Sequence, residues 1–301
     1  MSARVFIALG TASQVPTRER NHNGYFIRWD NHGFLLDPGE GTQRQMIFAG
    51  VSASQITKIF ITHFHGDHCL GLAGILQRLS LDKVQHTVKL FYPKSGQQYV
   101  ENLKNASIFH NVATIEDFPI DEEGVIFETD DYYIETRKLS HTVECWGYRF
   151  VEKDTFKMLP ENLDNLGVKG KNIAILKREG SIEIDGKTIK VEDCGIFKKG
   201  QTFAFVMDTR SCQNAFALAK DVDLLVCEST YLKSETKEAD AHGHLTAEKA
   251  AKIAKNSGAK LLALTHYSQR YLHRKDFLKE AKKVHENTIA MKDGDFVDIQ
   301  R

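Results

Sequence analysis

The chain has 301 residues, of which 42% are hydrophobic, with 40 basic and 40 acidic side chains and a formal net charge of +0. These totals are typical of a compact protein with enough apolar material to bury a core without disulfide staples. The balanced charge argues against attraction of the whole protein to nucleic acid or to a membrane, but it leaves local basic patches open.

Short runs rich in branched and aromatic residues predict strands over residues 5–8, 25–29, 34–36, 59–62, 88–92, 132–136, 146–151, 203–207, 224–227 and 261–265. Helical spacing between several of these runs predicts helices over residues 42–49, 70–81, 96–105, 212–219, 246–254 and 276–286. Strands dominate the first half, and strands alternate with helices in the second. This order predicts a layered α/β fold.

The interval between residues 151 and 203 is long for a connection. It contains a predicted hairpin over residues 181–189, with Asp185-Gly186 as its turn. An appended functional arm and a surface excursion without a role both fit this pattern.

The five cysteines are scattered and form no C-x-x-C pair. This usage favours free thiols in a reducing compartment over a disulfide framework or a thiolate zinc site. No segment approaches the roughly 18 apolar residues of a membrane span, and the apolar run over residues 5–9 is too short for a secretory signal. We therefore expect a cytoplasmic protein.

The segment His63-Phe64-His65-Gly66-Asp67-His68 directly follows a predicted strand. Residues two apart in an extended segment point the same way, so His63 and His65 can share one metal ion while Asp67 and His68 reach a neighbouring one. Imidazole and carboxylate ligands without sulfur suit zinc or another borderline divalent ion.

Further ligands for this site must come from elsewhere in the chain. His141, Asp208 and His266 each lie just beyond a predicted strand. Loops at strand ends gather into sites in layered α/β proteins, and this shared position makes the three residues candidates together.

The spacing H-x-H-x-D-H, followed by separate His, Asp and His residues, resembles the metallo-β-lactamase fold hydrolases. Additional motifs resemble ribonuclease Z, the tRNA 3′-processing endonuclease: Leu36-Asp37-Pro38-Gly39-Glu40-Gly41, Asp208-Thr209-Arg210, Cys227-Glu228-Ser229-Thr230, Gly243-His244-Leu245 and Thr265-His266-Tyr267. The resemblance runs from residue 5 to residue 271. It implies an α/β fold, the metallo-β-lactamase-like αββα sandwich, as a single domain over residues 1–301 with an inserted arm at about 152–200.

The resemblance also implies a set of site residues and two Zn²⁺ ions per subunit. One zinc is expected on His63, His65 and His141, the other on Asp67, His68 and His266, with Asp208 bridging the two. Asp67 is expected to orient the attacking water or accept its proton as well. Glu228 is expected to orient His244, which would protonate the departing 3′ oxygen or stabilise the phosphoryl oxygens.

The function implied by the resemblance is removal of the 3′ trailer from precursor tRNA by metal-hydroxide attack on a phosphodiester, leaving a 3′ hydroxyl on the tRNA. A homodimer is implied as well. We hypothesise that Arg270 contacts substrate phosphate, and Lys169 and Lys171 in the arm are further candidates for RNA contact. The arm lacks the proline of the family's Gly-Pro turn over residues 166–173.

Two alternative functions stay open at this point. The chain could be a related dinuclear hydrolase of a small phosphodiester or sulfate ester, or a metal-binding RNA-interaction protein without catalysis.

The Gly39-Glu40-Gly41 turn has two interpretations. Its glycines could permit a turn that Thr42 caps, or the backbone N–H groups at the helix start could approach a phosphate.

Overall fold

The computed structural model describes residues 4–299, which divide into two compact units. The first unit comprises the described residues up to Glu128, Ile134–Phe150 and the described residues from Thr202 onward. The second unit comprises Thr129–Tyr133 and Val151–Gln201.

In chain order, the strands are β1 (Arg4–Gly10), β2 (Gly24–Trp29), β3 (His32–Leu36), β4 (Lys58–Phe60), β5 (Val88–Pro93), β6 (Ile115–Ile120), β7 (Gly124–Glu128), β8 (Tyr132–Lys138), β9 (Trp146–Glu152), β10 (Thr155–Met158), β11 (Ser181–Ile184), β12 (Lys187–Lys190), β13 (Gly195–Lys198), β14 (Thr202–Val206), β15 (Leu224–Glu228), β16 (Leu261–Thr265), β17 (Thr288–Ala290) and β18 (Phe296–Asp298). The α-helices are α1 (Thr42–Phe48), α2 (Gly66–Cys69), α3 (Leu72–Leu81), α4 (Gln97–Lys104), α5 (Pro160–Asn165), α6 (Lys171–Glu179), α7 (Gln213–Leu218), α8 (Thr236–His242), α9 (Ala247–Ser257) and α10 (Lys275–Ala281).

Two large sheets form the centre of the first unit. The first has the strand order β18-β1-β2-β3-β4-β5-β6, and the second has the order β17-β16-β15-β14-β9-β8-β7. Strands β3 to β6 pair in parallel in the first sheet, as do β14 to β17 in the second. In each sheet, the carboxyl ends of the neighbouring parallel strands therefore lie side by side along one edge, which runs across the strands.

Aromatic side chains fill the space between the two sheets. Buried rings from one sheet contact buried rings from the other in the pairs Phe6–Phe203, Tyr25–Phe205 and Phe34–Phe150, with centroids 5.8, 5.2 and 5.3 Å apart. Alternate residues of the same strands point to the outer faces. Helices α1, α3 and α4 pack on the outer face of the first sheet, and α7, α9 and α10 pack on that of the second. The predicted αββα layering is confirmed.

The helix predicted over residues 276–286 ends earlier, at Ala281. The N–H of Val284 bonds to the carbonyl of Ala281, which tightens the chain into a turn. Among residues 4–299, no helix combines the length and the apolar character that crossing a membrane requires. The five cysteines are free thiols.

The second unit has a small core of its own, formed by Leu163, Val168, Leu176, Ile189 and Cys194. Strand β10 pairs with β13, and β11 pairs with β12. The predicted hairpin is present as β11 and β12. Asp185 and Gly186 both have positive φ, 49° and 74°, as a two-residue type I′ turn requires.

Candidate metal centre

The predicted ligands lie at one edge of the first unit, where strands of both sheets end. His63, His65, Asp67 and His68 follow β4, and Asp208 and His266 follow the parallel strands β14 and β16. The loop between β8 and β9 brings His141 to the same place. Parallel pairing of β14, β15 and β16 explains why side chains distant in sequence meet at this edge.

Three imidazole nitrogens of the first ligand group converge. The Nδ1 atom of His65 lies 3.0 Å from Nε2 of His63 and 3.3 Å from Nε2 of His141. Asp208 completes the group, with Oδ2 3.5 Å from Nε2 of His63. Ligands that bind a tetrahedral zinc ion at about 2.0 Å are about 3.3 Å apart. The group therefore has the spacing that one such ion needs.

The second ligand group contains Asp67, His68 and His266. The Nε2 atom of His68 lies 3.3 Å from Oδ2 of Asp67 and 3.2 Å from Nε2 of His266. Asp208 also reaches this group, because its Oδ2 is 3.4 Å from His68 Nε2 and its Oδ1 is 3.1 Å from His266 Nε2. The Asp208 carboxylate thus lies between the two groups.

The chemistry of the donors fits a divalent metal. Within the described part of the chain, the buried Oδ1 atom of Asp208 has no hydrogen-bond partner, although such atoms are normally satisfied. The ligand groups bring the lone pairs of several imidazole nitrogens and of the Asp67 and Asp208 carboxylates close together. A metal cation bound between these atoms would accept those lone pairs and balance the negative charge.

Contacts behind the ligands fix which ring nitrogen is free to bind metal. The Nδ1 atom of His68 lies 2.8 Å from Oδ2 of Asp37, and Nδ1 of His141 donates to the carbonyl of Gly243 at 2.9 Å. Each contact holds a proton on Nδ1, so Nε2, which faces the centre, is the nitrogen left for a metal ion.

Electrostatics favours ionised carboxylates in this centre. Burial acts to raise the pKa of Asp67, but the charges of His68 and His266 and the hydrogen bonds from both rings together lower that pKa below its ordinary value. Burial lowers the pKa of His63, which keeps this ligand neutral. For His68, the carboxylates of Asp208, Asp67 and Asp37 outweigh burial and raise the pKa. The same negative field that holds a proton on His68 favours a metal cation in its place.

Three residues of the centre have a strained backbone. Asp37, Asp208 and His266 each lie one or two residues beyond the end of a strand and have positive φ, at 44°, 30° and 62°. Residues other than glycine rarely adopt this conformation, and such residues concentrate at functional sites. All three side chains contact other residues of the centre from these positions.

Glu228 and His244 lie together beside the metal-ligand groups. The Nδ1 atom of His244 is 3.1 Å from Oε1 of the buried Glu228. Burial acts to lower the pKa of His244, but the carboxylates of Glu228 and Asp208 outweigh it and raise the pKa to about 9. Asp208, His244 and His266 also lie close enough to share an ion, so His244 has a second possible role as a ligand.

A cavity of about 350 Å³ opens onto this centre. Its walls include His65, Asp67, His141, Asp208, His244 and Arg270. The Arg270 guanidinium lies 2.5 Å from Oε1 of Glu235 and 5.0 Å from the ring centroid of Tyr231. Lys169 and Lys171 are exposed residues of the second unit, and Lys169 Nζ lies 3.7 Å from Oδ1 of Asp164.

Sequence reasoning did not assign a role to several residues of the centre. Asp37 accepts bonds from the backbone and hydroxyl of Thr62, at 2.7 and 2.8 Å, in addition to its contact with His68. Its position after β3, beside β4, was the signal that could have revealed it. Asn23, whose Nδ2 is 3.2 Å from His68 Nε2, had no such signal because it precedes its strand.

The structure shows how the Gly39-Glu40-Gly41 turn is formed and whether Thr42 caps the helix after it. A Cβ atom on Gly39 would lie 2.1 Å from the carbonyl oxygen of Asp67, so glycine is needed for close approach of this turn to the ligand loop. Of the two interpretations left open, the cap by Thr42 is not formed. Gly41 takes the N-cap position with φ 81°, and the Thr42 hydroxyl donates to the carbonyl of Gly39 at 2.7 Å instead.

Known proteins provide an independent comparison. A family model described as the metallo-beta-lactamase superfamily matches residues 17–149. Ribonuclease Z of Streptomyces avermitilis is 50% identical to this chain over 282 residues, covering 94% of this chain and 92% of that protein. The chain belongs to the ribonuclease Z family. Another member, ribonuclease Z of Chlamydia caviae, is 44% identical over 290 residues, covering 96% of this chain and 95% of its own.

A solved structure agrees with this family membership at the level of the fold. The crystal structure of human tRNase Z, short form, matches with a TM-score of 0.73 and 23% identity, covering 99% of this chain and 100% of that chain. The ribonuclease Z resemblance inferred from the motifs is thereby confirmed, as is the metallo-β-lactamase fold.

Proposed function

We propose that this chain is a metal-dependent endoribonuclease that removes the 3′ trailer from precursor tRNA. The observation that carries the proposal is that two metal-ligand groups, with Asp208 between them, lie beside the Glu228–His244 pair at one cavity. Relatives named ribonuclease Z at 44–50% identity over most of the chain support the substrate.

We assign two Zn²⁺ ions to the centre. His63, His65 and His141 would hold one ion, Asp67, His68 and His266 the other, and Asp208 would contact both. When bound, two such cations acidify water at neutral pH and offset the negative charge that develops on an attacked phosphodiester. Elemental analysis of the purified protein tests the assignment, and one zinc or fewer per chain contradicts it.

The remaining chemistry belongs to side chains that face the cavity. Asp67 orients the attacking water and accepts a proton from it. A bond forms between the water oxygen and phosphorus while the bond from phosphorus to the 3′ oxygen breaks. Glu228 holds the Nδ1 proton of His244, so that Nε2 of His244 can deliver a proton to the departing 3′ oxygen. The products are a 3′ hydroxyl on the tRNA and a 5′ phosphate on the trailer.

We propose that the second unit, within the arm at about 152–200, binds the tRNA. Lys169 and Lys171 are exposed, and they flank Gly170, whose φ of 55° belongs to the turn before α6. Exposed Phe156 and Phe197 face each other across β10 and β13. Basic and aromatic side chains together are typical of RNA-binding surfaces.

Replacing residues 153–200 by Asn-Gly tests the arm. Glu152 and Gln201 already bond to each other, with the Glu152 N–H donating to the Gln201 carbonyl at 2.9 Å, so a short hairpin can close the gap. We expect kcat/KM for precursor tRNA to fall at least about 100-fold, or about 2.7 kcal/mol of transition-state stabilisation. Cleavage of a chromogenic phosphodiester, bis(p-nitrophenyl) phosphate, is expected to persist. Equal loss on both substrates contradicts the role of the arm.

Arg270 remains our candidate for a phosphate contact at the cavity. Its salt bridge with Glu235 holds the guanidinium over the Tyr231 ring, which aims it along the cavity wall. An unchanged affinity of Arg270→Ala for precursor tRNA would remove this role.

We propose a homodimer in the cytoplasm. Exposed apolar side chains lie on helices of the first unit that contact one another, namely Ile47 and Phe48 on α1, Leu81 on α3 and Tyr99 on α4. Apolar surface of this kind is typical of protein interfaces. Sedimentation equilibrium tests the dimer, and a monomer at micromolar concentration contradicts it. Cell fractionation tests the location.

Metal removal provides the direct test of the activity. Purified protein incubated with a 3′-extended precursor tRNA is expected to release the trailer, and a chelator is expected to abolish this cleavage until zinc is restored. A protein that binds the RNA without cutting it would support the non-catalytic alternative. Hydrolysis of only small esters would support the small-substrate hydrolase.

A further inference from the structure

Thr230 occupies a central position that the proposed mechanism does not use. It follows β15, and it is buried between the Glu228–His244 pair and the ligand His266. Its hydroxyl oxygen lies 2.7 Å from Oε2 of Glu228 and 2.7 Å from Nδ1 of His266. These two short contacts connect a residue of the catalytic pair to a metal ligand.

The direction of the two hydrogen bonds follows from counting protons. A hydroxyl has one proton to donate, and an ionised carboxylate can only accept. Both oxygens of the buried Glu228 already accept backbone N–H groups, Oε1 from Thr209 at 2.9 Å and Oε2 from Thr230 at 3.1 Å, so this carboxylate is an acceptor. The Thr230 proton therefore points to Glu228. Toward His266 the hydroxyl can only accept, so Nδ1 of His266 must carry the proton.

The alternative tautomer of His266 is unfavourable for metal binding. A proton on Nε2 would lie on the side of the two carboxylates, since Nε2 is 3.1 Å from Oδ1 of Asp208 and 3.5 Å from Oδ2 of Asp67. This is the space in which the ion would lie. The carboxylates of Asp208 and Asp67 favour the tautomer with the proton on Nε2, which blocks metal binding. The Thr230 hydroxyl favours the tautomer with the proton on Nδ1, which leaves Nε2 for the metal.

We propose that Thr230 is a positioning residue that keeps the proton of His266 on Nδ1 and so presents Nε2 to the metal. Glu228 then has two tasks. Its Oε1 accepts from His244 Nδ1 and from the Thr209 N–H at 2.9 Å, and its Oε2 accepts from the Thr230 hydroxyl and N–H. The carboxylate thereby orders the catalytic pair and one metal ligand at once. The inference rests on the proposed metal centre and deepens it.

The experiment is a titration of metal-free protein with Zn²⁺ against a competing chelator, without RNA. Thr230→Val keeps the shape of the side chain and removes the hydroxyl. We expect it to weaken one of two zinc affinities by about 10- to 100-fold, as loss of an orienting hydrogen bond does. The other affinity should stay near the wild-type value. Thr230→Ser, which keeps the hydroxyl, should restore the weakened affinity.

Thr136→Val is the matched control. Thr136 is also fully buried, and its hydroxyl donates to the Gly147 carbonyl at 2.8 Å, away from the ligands. The control carries the general stability cost of losing a buried threonine hydroxyl and should leave both zinc affinities unchanged. Should Thr230→Val fail to fold, Thr230→Ala, which forces no methyl group against the polar neighbours, replaces it in the same titration.

A double-mutant cycle tests whether Thr230 acts through His266. In a His266→Ala background, Thr230→Val is expected to cost no further zinc affinity, because the ligand that it positions is gone. Additive losses overturn the inference, as do unchanged affinities in Thr230→Val or equal losses in the Ser and Val variants. A wild-type protein that binds no zinc overturns the metal centre itself, whereas normal zinc binding in Thr230→Val overturns only the role of Thr230.

Discussion

Asp208→Asn is expected to abolish trailer removal because it removes the carboxylate that both metal-ligand groups share. Asp208 Oδ2 lies 3.5 Å from His63 Nε2 and 3.4 Å from His68 Nε2, so both ions lose a negative ligand together. We expect zinc affinity and kcat/KM each to fall more than about 100-fold, beyond the loss caused by removing an orienting group alone. Zinc titration and the precursor tRNA assay measure the two effects.

Asparagine is the right substitution at this position because the backbone has φ 30°. Asparagine adopts positive φ more readily than alanine, so the variant removes charge without adding backbone strain. Asp221→Asn is the matched control, since Asp221 also has positive φ, 52°, and its side chain is exposed. Added zinc should raise the melting temperature of the wild type and of the control but much less that of Asp208→Asn. Full zinc binding by Asp208→Asn would contradict the shared-ligand assignment.

The strongly buried strands of the two sheets were predictable from sequence. Segments such as Phe203–Met207 consist of apolar residues in an unbroken run, the pattern of a strand covered on both faces. Strands β6 and β7 were missed. Their side chains are largely half-buried or exposed. Strand β6 contains Pro119 and shows no apolar run, and β7 has an apolar run of only three residues, 125–127.

Helix α6 and the turn before it were also not predicted from the sequence. Lys169, Lys171, Lys177 and Arg178 read as a basic stretch, and only the small core around Leu176 makes the segment helical. Gly167 and Gly170 build the preceding turn with φ of 70° and 55°, which explains how the arm turns at this point without proline.

The ligand set and its supporting residues differ in how far sequence determines them. The dense His and Asp spacing after β4 marks the ligands, because few structural roles require it. Thr230 and Asp37 act by the direction of single hydrogen bonds to His266 and His68. Such bonds depend on the register of β15 beside β16 and of β3 beside β4, which a single sequence does not display.

His244→Ala is expected to retain zinc and lose rate. The Nδ1 atom of His244 lies 3.1 Å from Oε1 of Glu228 and 3.9 Å from Oδ2 of Asp208, and the shorter contact favours the proposed role in the catalytic pair. Removal of a positioned general acid lowers kcat by about 100- to 10,000-fold. We expect a loss in that range in single-turnover cleavage of precursor tRNA, with zinc affinity unchanged.

The same variant decides between the two roles that the geometry allows His244. Because Asp208, His244 and His266 lie close enough to share an ion, a ligand role predicts that zinc and rate fall together. A general-acid role predicts that rate alone falls. His86→Ala, at an exposed histidine before β5, controls for histidine removal as such and should change neither quantity. If His244→Ala keeps the wild-type rate, proton delivery to the 3′ oxygen must come from another group, and the Glu228 carboxylate would then serve the metal centre through Thr230 alone.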